Sequence, residues 1–585
     1  MDPFSNNSDL KEDIIPKKKS KSCIPIKELI AIIIILIINA ILAIILMSYL
    51  LNSSSKKNNN NSHYSEIKCI YKIDNASLEI PILGEDFTNI NKSILSIYIN
   101  ETKINISKLF KFDIEGVYLI KYILNDEMNM DYIFKNIEAL QTVDMFSNTS
   151  DKIISMISSF ENCVNLINVS INGFNMGQIK STSKLFYNSG IQNLKFNNNF
   201  KVNNIEDMSY MFACTNILEL NLINFYTGAV KNMSGLFKNN VNLQLLDISS
   251  FNTENVNDMS EMFYHCESLN SLDISNFRTN KVESMSHMFE GLNLLYSLDL
   301  SKLEIKNVKN MSFMFSNCKN LAVLDLQNFD TSNTLDMSSM FSECTNLTSL
   351  NLSSFDTSKV TDMTKMFYYC RSIINLDLSN FKTNDLLGVT RMFEMCTSLK
   401  KINLSNFITD NIKDFSYIFY FCTSLESLDL SNFNTKNAIK MSSMFSFCSS
   451  LTSLKIKNLD TSQVKEMDFM FNFLDSMKEL DLSHLKTNNV ETMNKMFSYC
   501  RRLTSIDVSN FDTKKVQNFG GMFEGLHKIY ELDISSFDFQ SGGNFQGMFQ
   551  DCRNLSVINM NNNSKNIEYV IEQIPEIVNI SYINS

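Results

Sequence analysis

Along most of this chain the apolar positions return at a fixed interval. Met262-Phe263, Met288-Phe289, Met314-Phe315, Met340-Phe341, Met366-Phe367 and Met392-Phe393 stand 26 residues apart, and the series continues through Ile418-Phe419 to Met548-Phe549. Backward it passes Leu236-Phe237, takes one step of 25 to Met211-Phe212, and fades through Phe186, Phe160 and Phe134. These 17 copies cover residues 125–562. A constant period over so long a stretch predicts a solenoid, because a unit of this size cannot bury its apolar face alone and must stack on its neighbours.

Within one unit, Val256, Met259, Met262, Phe263, Cys266, Leu269, Leu272, Ile274 and Phe277 are apolar. Leu272-Asp273-Ile274-Ser275 alternates as a strand with one buried face does. The step from Met259 to Met262 has the spacing of a short helix or turn, and Asp258 or Ser260 can cap its first free amides. The expectation is an α/β solenoid of about 17 repeats of 26 residues, each coil running strand, turn, short helical segment, turn. Its strands would stack into a parallel sheet on the order of 80 Å long, at ~4.8 Å per strand.

The run Cys266-x-x-Leu269-x-x-Leu272-x-Ile274-x-x-Phe277 resembles the leucine-rich-repeat pattern, with Phe where many such repeats carry Asn. Joined to Val256-x-x-Met259-x-x-Met262-Phe263, it resembles the BspA-like leucine-rich-repeat surface proteins, the group sharing the mycoplasma-type lipoprotein repeat. That resemblance covers about three quarters of the chain. It implies a leucine-rich-repeat solenoid, display at a cell surface, and adhesion to proteins or host surfaces. The copies around Phe134, Phe160 and Phe186 depart from the pattern, and the copy at Phe212 is one residue short.

Other patterns flank the array. Residues 29–51 carry no charge and are mostly Ile, Leu, Ala and Met, with Asn39 the one strongly polar interruption. Such a run can span ~30 Å of hydrocarbon. Lys11, Lys17, Lys18, Lys19, Lys21 and Lys27 precede it, and only Lys56, Lys57 and Lys68 follow within a similar distance. The positive-inside rule then puts the N-terminus in the cytoplasm. A cleaved secretory signal is the competing reading, but the run is long for one and its exit lacks an A-x-A-like site. The predicted order is a disordered cytoplasmic tail (1–28), a transmembrane helix (29–51), a polar stalk (52–63), a small β-rich module (64–124), the solenoid (125–562) and a C-terminal cap or tail (563–585). In the module, Ile67–Ile73, Leu95–Ile99 and Gly116–Tyr122 alternate as strands of a β-sandwich-like unit. Leu95, Ile97 and Ile99 share a face there, and Asn91-Lys92 supplies a turn. The localisation expected is the plasma membrane, single-pass, with the ectodomain outside.

Charge narrows the partners. The 63 acidic and 52 basic residues leave a net charge of -11, which lacks the basic footprint of a nucleic-acid binder. With only 15 glycines and 5 prolines, turns fall to Asn, Asp, Ser and Thr.

Candidate chemistry is sparse. No phosphate loop, zinc motif or nucleophile elbow occurs, so no cofactor, metal or catalytic residue is expected. Cys163, Cys214, Cys266, Cys318, Cys344, Cys370, Cys396, Cys422, Cys448, Cys500 and Cys552 are assigned one place in the repeat. Apolar residues such as Leu292, Leu474 and Leu526 stand there in other copies, which favours buried free thiols over stacked disulfides. The Met-x-x-Met-Phe stripe is core packing rather than a soft-metal site, since Leu236, Phe415 and Ile418 substitute within it. Between the apolar strand residues, Asp247, Asp273, Asp299, Asp325, Asp377, Asp429, Asp481, Asp507 and Asp533 form a ladder, interrupted by Asn351, Asn403 and Lys455. This is either an acidic strip for a basic partner or a solvated face relieved by neighbouring serines. A second ladder, Thr253 to Thr513, is expected to close the turn at the strand exit.

The function expected is cell-surface adhesion or recognition, binding an extracellular protein or glycan through the sheet face, and no enzyme. The alternatives are a structural coat or spacer, and a carbohydrate-active enzyme on a parallel β-helix, which would need a cluster of acids or bases that breaks the repeat.

Overall fold

In the computed structural model, residues 65–196, 203–540, 542–564 and 566–583 are described. Tyr64–Ser585 is one compact unit, and Met1–His63 lies outside the described residues. The expected placement as a single-pass plasma-membrane protein is corrected: among the described residues no helix is long and apolar enough to cross a membrane. The apolar run 29–51, on which that expectation stood, is outside them, as are the tail at 1–28 and the stalk at 52–63.

The repeat folds as a β-solenoid of about 17 turns, and its hydrogen bonds show why. In the coil around Phe367, the N–H groups of Met363, Lys365, Phe367 and Tyr369 donate to the carbonyls of Gly388, Thr390, Met392 and Glu394 on the next coil, at 2.8–3.0 Å. The alternate N–H groups, of Met366, Tyr368 and Cys370, turn back three residues at 3.0–3.1 Å. Lys365 and Tyr369 both take φ 58°. The segment expected to be helical is therefore a train of turns, every second amide of which bonds across coils. A left-handed residue every fourth position forbids α-helix, and the Met-to-Met step of three reflects burial alone. Among the described residues the α-helices are Ile90–Ser93 and Ile567–Ile571, both outside the repeat, so the α/β assignment gives way to an all-β coil.

The core is a stack of one phenylalanine per coil. From Phe134 to Phe549, 17 rings lie with centroids 5.3–6.2 Å apart and planes within 20° of parallel. Aromatic contacts of this kind add ~0.5–1.5 kcal/mol each beyond area burial.

The strands on the other side are short. Glu219–Asn221 pairs in parallel with Leu245–Asp247, Asn375–Asp377 with Lys401–Asn403, and Ser427–Asp429 with Ser453–Lys455. In place of one long sheet the array carries such pairs of two or three residues. A second ladder of single parallel bridges runs from Ser181 through Asp258 to Gly388 and from Asp414 to Asn544.

At the N-terminal end the β-rich segment does not form a separate sandwich. Ser65–Ile73 pairs antiparallel with Gly116–Leu124 on one side and with Leu140–Ser147, a strand of the array's first coil, on the other. Leu140–Ser147 pairs in parallel with Asn168–Asn172, and that strand with Asn193–Phe196. One seven-stranded sheet thus crosses from module to array and covers the array's first edge. Within it a register shift between Ile94 and Ser96 turns Leu95 outward (59% exposed), so Ile97 and Ile99 are buried without it. Asn91-Lys92 falls in the helical turn Ile90–Ser93. At the other end Asn579–Ile583 adds a parallel strand to Val557–Asn561, and Val570 is buried against the core.

Candidate recognition surface

The aspartate ladder lies on the surface: Asp273, Asp299, Asp325, Asp377, Asp429, Asp481, Asp507 and Asp533 are exposed and Asp247 is half-buried. Each also has a local task. Its Oδ1 accepts the N–H two residues on, as Ser275 to Asp273 at 3.0 Å, Ser301 to Asp299 at 2.9 Å and Gln327 to Asp325 at 3.0 Å. The same bond forms at Asp247, Asp377, Asp429, Asp481, Asp507 and Asp533. Asn351 and Asn403 make it through their amide oxygens, at 3.1 and 3.2 Å. These two interruptions thus keep the acceptor and drop only the charge, whereas Lys455 replaces it with a cation paired to Asp429. This is an Asx turn, and it ends each strand.

The bonds also hold the charge in place. Backbone donors from Ser275, Ser301 and Ser379 keep the carboxyls of Asp273, Asp299 and Asp377 below the usual range, and the Ser483 and Ser509 hydroxyls do the same for Asp481 and Asp507. Asp429 is pushed down to about 2 by the Ser431 hydroxyl and the Lys455 ammonium, which sits 2.9 Å away. The strip is therefore anionic at neutral pH.

Near its N-terminal end the strip borders an apolar depression. A cavity of about 670 Å³ is lined by Leu194, Phe196, Leu220, Leu245, Leu246 and Leu272, with Glu219, Asn221, Asp247, Ser271 and Asp273 among them. Leu245 is 54% exposed. In later coils Ser271, Ser297, Ser427 and Ser453 hold that register, and Val323 is an isolated apolar residue there, 57% exposed.

The repeated interior residues act across coils. Thr357 Oγ1 donates to the Lys382 carbonyl and accepts from the Lys382 N–H, both at 2.9 Å. The same two-way bond joins Thr253 to Arg278, Thr279 to Glu304 and Thr409 to Asn434. The threonines were expected to close their own turn, and instead they tie each turn to the next one.

The described cysteines are free thiols. Cys370 Sγ donates to the Phe341 carbonyl of the preceding coil at 3.0 Å, as Cys266 does to Phe237 and Cys448 to Phe419. Burial pushes the Cys266, Cys396 and Cys448 thiols up to about 12. Asn240 fills the same slot and donates to the Phe212 carbonyl at 2.8 Å, so the buried position takes a donor in these coils and a plain apolar residue in the coils of Leu292, Leu474 and Leu526. Cys214 is corrected: it falls one residue early, at φ 58°, and Thr215 occupies the interior place, with both its N–H and hydroxyl on Asn240 Oδ1 at 2.8 Å.

The stripe methionines, such as Met259 and Met262, are fully buried. Among the described residues no group of three His, Cys, Asp or Glu could hold a metal ion. His265 and His287 pair with Glu267 and Glu290 at 2.8 and 2.5 Å, and His527 with Asp551 at 3.1 Å.

A leucine-rich-repeat protein from Bacteroides ovatus is similar to this chain at 12% identity and a TM-score of 0.32, covering 85% of this chain and 100% of its own. One from Eubacterium ventriosum reaches 14% identity and 0.28, over 66% and 90%. The pneumococcal vaccine antigen PcpA reaches 11% and 0.27, over 56% and 94%. Comparison with curated protein sequences gives no match. The family described as Mycoplasma protein of unknown function, DUF285, matches in overlapping segments from residue 100 to residue 577. The chain belongs to that family, consistent with its resemblance to the BspA-like leucine-rich-repeat proteins.

Proposed function

We propose that this protein is a surface recognition module that binds a partner through the sheet face of its solenoid. The observation that supports this is the depression at Leu220, Leu245 and Leu272, rimmed by Glu219, Asp247 and Asp273. Apolar surface inside a rim of one charge favours a partner that brings apolar side chains together with Lys or Arg. A basic protein segment fits that description. Leu245 stands where a serine would serve the fold equally well, as Ser271 and Ser297 do one and two coils on.

The competing reading is a structural coat or spacer, and it draws on the Asx bonds, which give every strip aspartate a role in its own turn. The two separate on binding. The full chain is tested against a panel of immobilised basic proteins, acidic proteins and glycans, beside a Leu245→Arg variant that inverts the depression. Retention of a basic protein by the wild type, and its loss in the variant, supports recognition. Retention of nothing, or equal retention by both chains, leaves the spacer reading.

A further inference from the structure

A second opening lies on the turn side of the array, away from the strip residues. The residue two before the stacked phenylalanine is left-handed in successive coils: Arg391 (φ 62°), Tyr417 (61°), Ser443 (57°) and Phe469 (57°). The one adjacent pair of rings at this register among the described residues, His287 and Phe313, stacks face to face, with centroids 4.5 Å apart and planes at 8°. The Arg391 guanidinium covers Tyr417 in the same way, 4.3 Å from its centroid. Between Tyr417 and Phe469 the register holds Ser443, which is too small to stack on either and is 3% exposed. The register carries no ring there, and a ring stands on either side of it. Tyr417, Ser443 and Phe469 line one cavity of about 420 Å³, within the ~300–1,000 Å³ typical of small-ligand sites.

The polar lining restricts what can fill that place. Lys440 is paired with Glu466 at 2.8 Å and Arg391 with Glu394 at 2.9 Å, so no cation is left for a phosphate or carboxylate. No metal-holding group occurs among the described residues. Asp414 Oδ1 accepts the Ser416 N–H at 2.8 Å, and Asp468 Oδ1 accepts the Asn494 N–H at 2.8 Å and the Thr492 hydroxyl. Both carboxylates have a second oxygen to offer a ligand. Donors and acceptors beside aromatic faces suit a neutral polyhydroxylated ring. Rungs in this array are ~4.8 Å apart, wider than the ~3.5 Å contact between flat rings. That spacing accommodates a puckered saturated ring with its C–H bonds directed at the aromatic faces.

We propose that this cavity binds one pyranose ring of a neutral glycan, inserted between Tyr417 and Phe469 above Ser443, with hydroxyls bonded to Asp414 and Asp468. The site is independent of the sheet-face reading. Saturation-transfer NMR of the full chain with β-linked tetramers of glucose, galactose and N-acetylglucosamine, each at millimolar concentration, tests it. The expected result is transfer onto the ring C–H protons of at least one tetramer. Ser443→Phe, which places a ring at that register, should abolish it. Tyr417→Ala should weaken binding about tenfold, and this keeps the test open if the larger residue does not fold. Absence of transfer from all three tetramers, or transfer unchanged in the folded variants, overturns the proposal.

Discussion

Thr357 holds both backbone groups of Lys382: its hydroxyl donates to the carbonyl and accepts from the N–H, each at 2.9 Å, across one coil step. Thr357 is completely buried, while Lys382 is exposed and the two bonds are part-buried. Thr357→Val keeps the shape and removes both bonds. A hydrogen bond of this kind contributes about 0.5–1.5 kcal/mol net. Denaturant unfolding should show a loss of about 1 kcal/mol or more for Val and a small one for Ser. Equal stability of the Val variant would mean the hydroxyl carries no weight.

The cysteine slot makes a prediction about reactivity. Thiolates are the reactive form, and burial holds Cys266, Cys396, Cys448 and their neighbours as thiols. Brief alkylation of the native chain followed by peptide mapping should label Cys214, the half-buried cysteine outside the slot. The ladder from Cys266 to Cys500 should react only after unfolding. Native labelling of Cys370 or Cys422, or recovery of either in a disulfide, would contradict the assigned packing.

At the strip, charge and turn geometry separate. Asp377→Asn should leave thermal stability nearly unchanged, because Asn351 and Asn403 already make the same bond. Asp377→Ala loses the Ser379 N–H bond and should cost about 1 kcal/mol, the size of a capping loss. A pair of melting curves distinguishes them.

Asp429 carries a pH signature. Its folded value of about 2 lies below the ordinary 3.8. A depressed carboxyl contributes stability that is fully present above the unfolded value, and that contribution is lost as pH falls from about 3.8 toward about 2. Ser431→Ala removes the largest contribution to the shift. The Asp429 carboxyl carbon, followed by NMR, should then titrate at a higher pH than in the wild type, whereas an unmoved midpoint would assign the shift to Lys455.

The period of 26, the buried set and the aspartate ladder are legible in the sequence because burial repeats at fixed positions. What Thr357 and Cys370 bond to is not legible. Both partners lie 25 to 29 residues away, and spacing records that a position is buried without recording which backbone group it reaches. The same limit explains the misplaced helix. Tyr369 and Phe473 are left-handed at φ 58° and 54°, a conformation that costs ~1–2 kcal/mol for such residues. Among the described repeats only Gly235, Gly291, Gly521, Gly525 and Gly547 advertise it in the sequence. Cys214 was misplaced because the short copy at Phe212 moves its cysteine one residue out of the slot. The gap between rings at Ser443 depends on which neighbours carry rings, a comparison between coils that a consensus hides.

The sheet-face reading is tested most directly by the affinity of the full chain for a basic protein that it retains, compared with that of a chain carrying Asp273→Asn, Asp299→Asn and Asp325→Asn together. The amides keep the three Asx turns and remove three charges. Recognition through the strip predicts an unchanged melting temperature and an affinity about tenfold lower or more. An equal affinity for the two chains would contradict it.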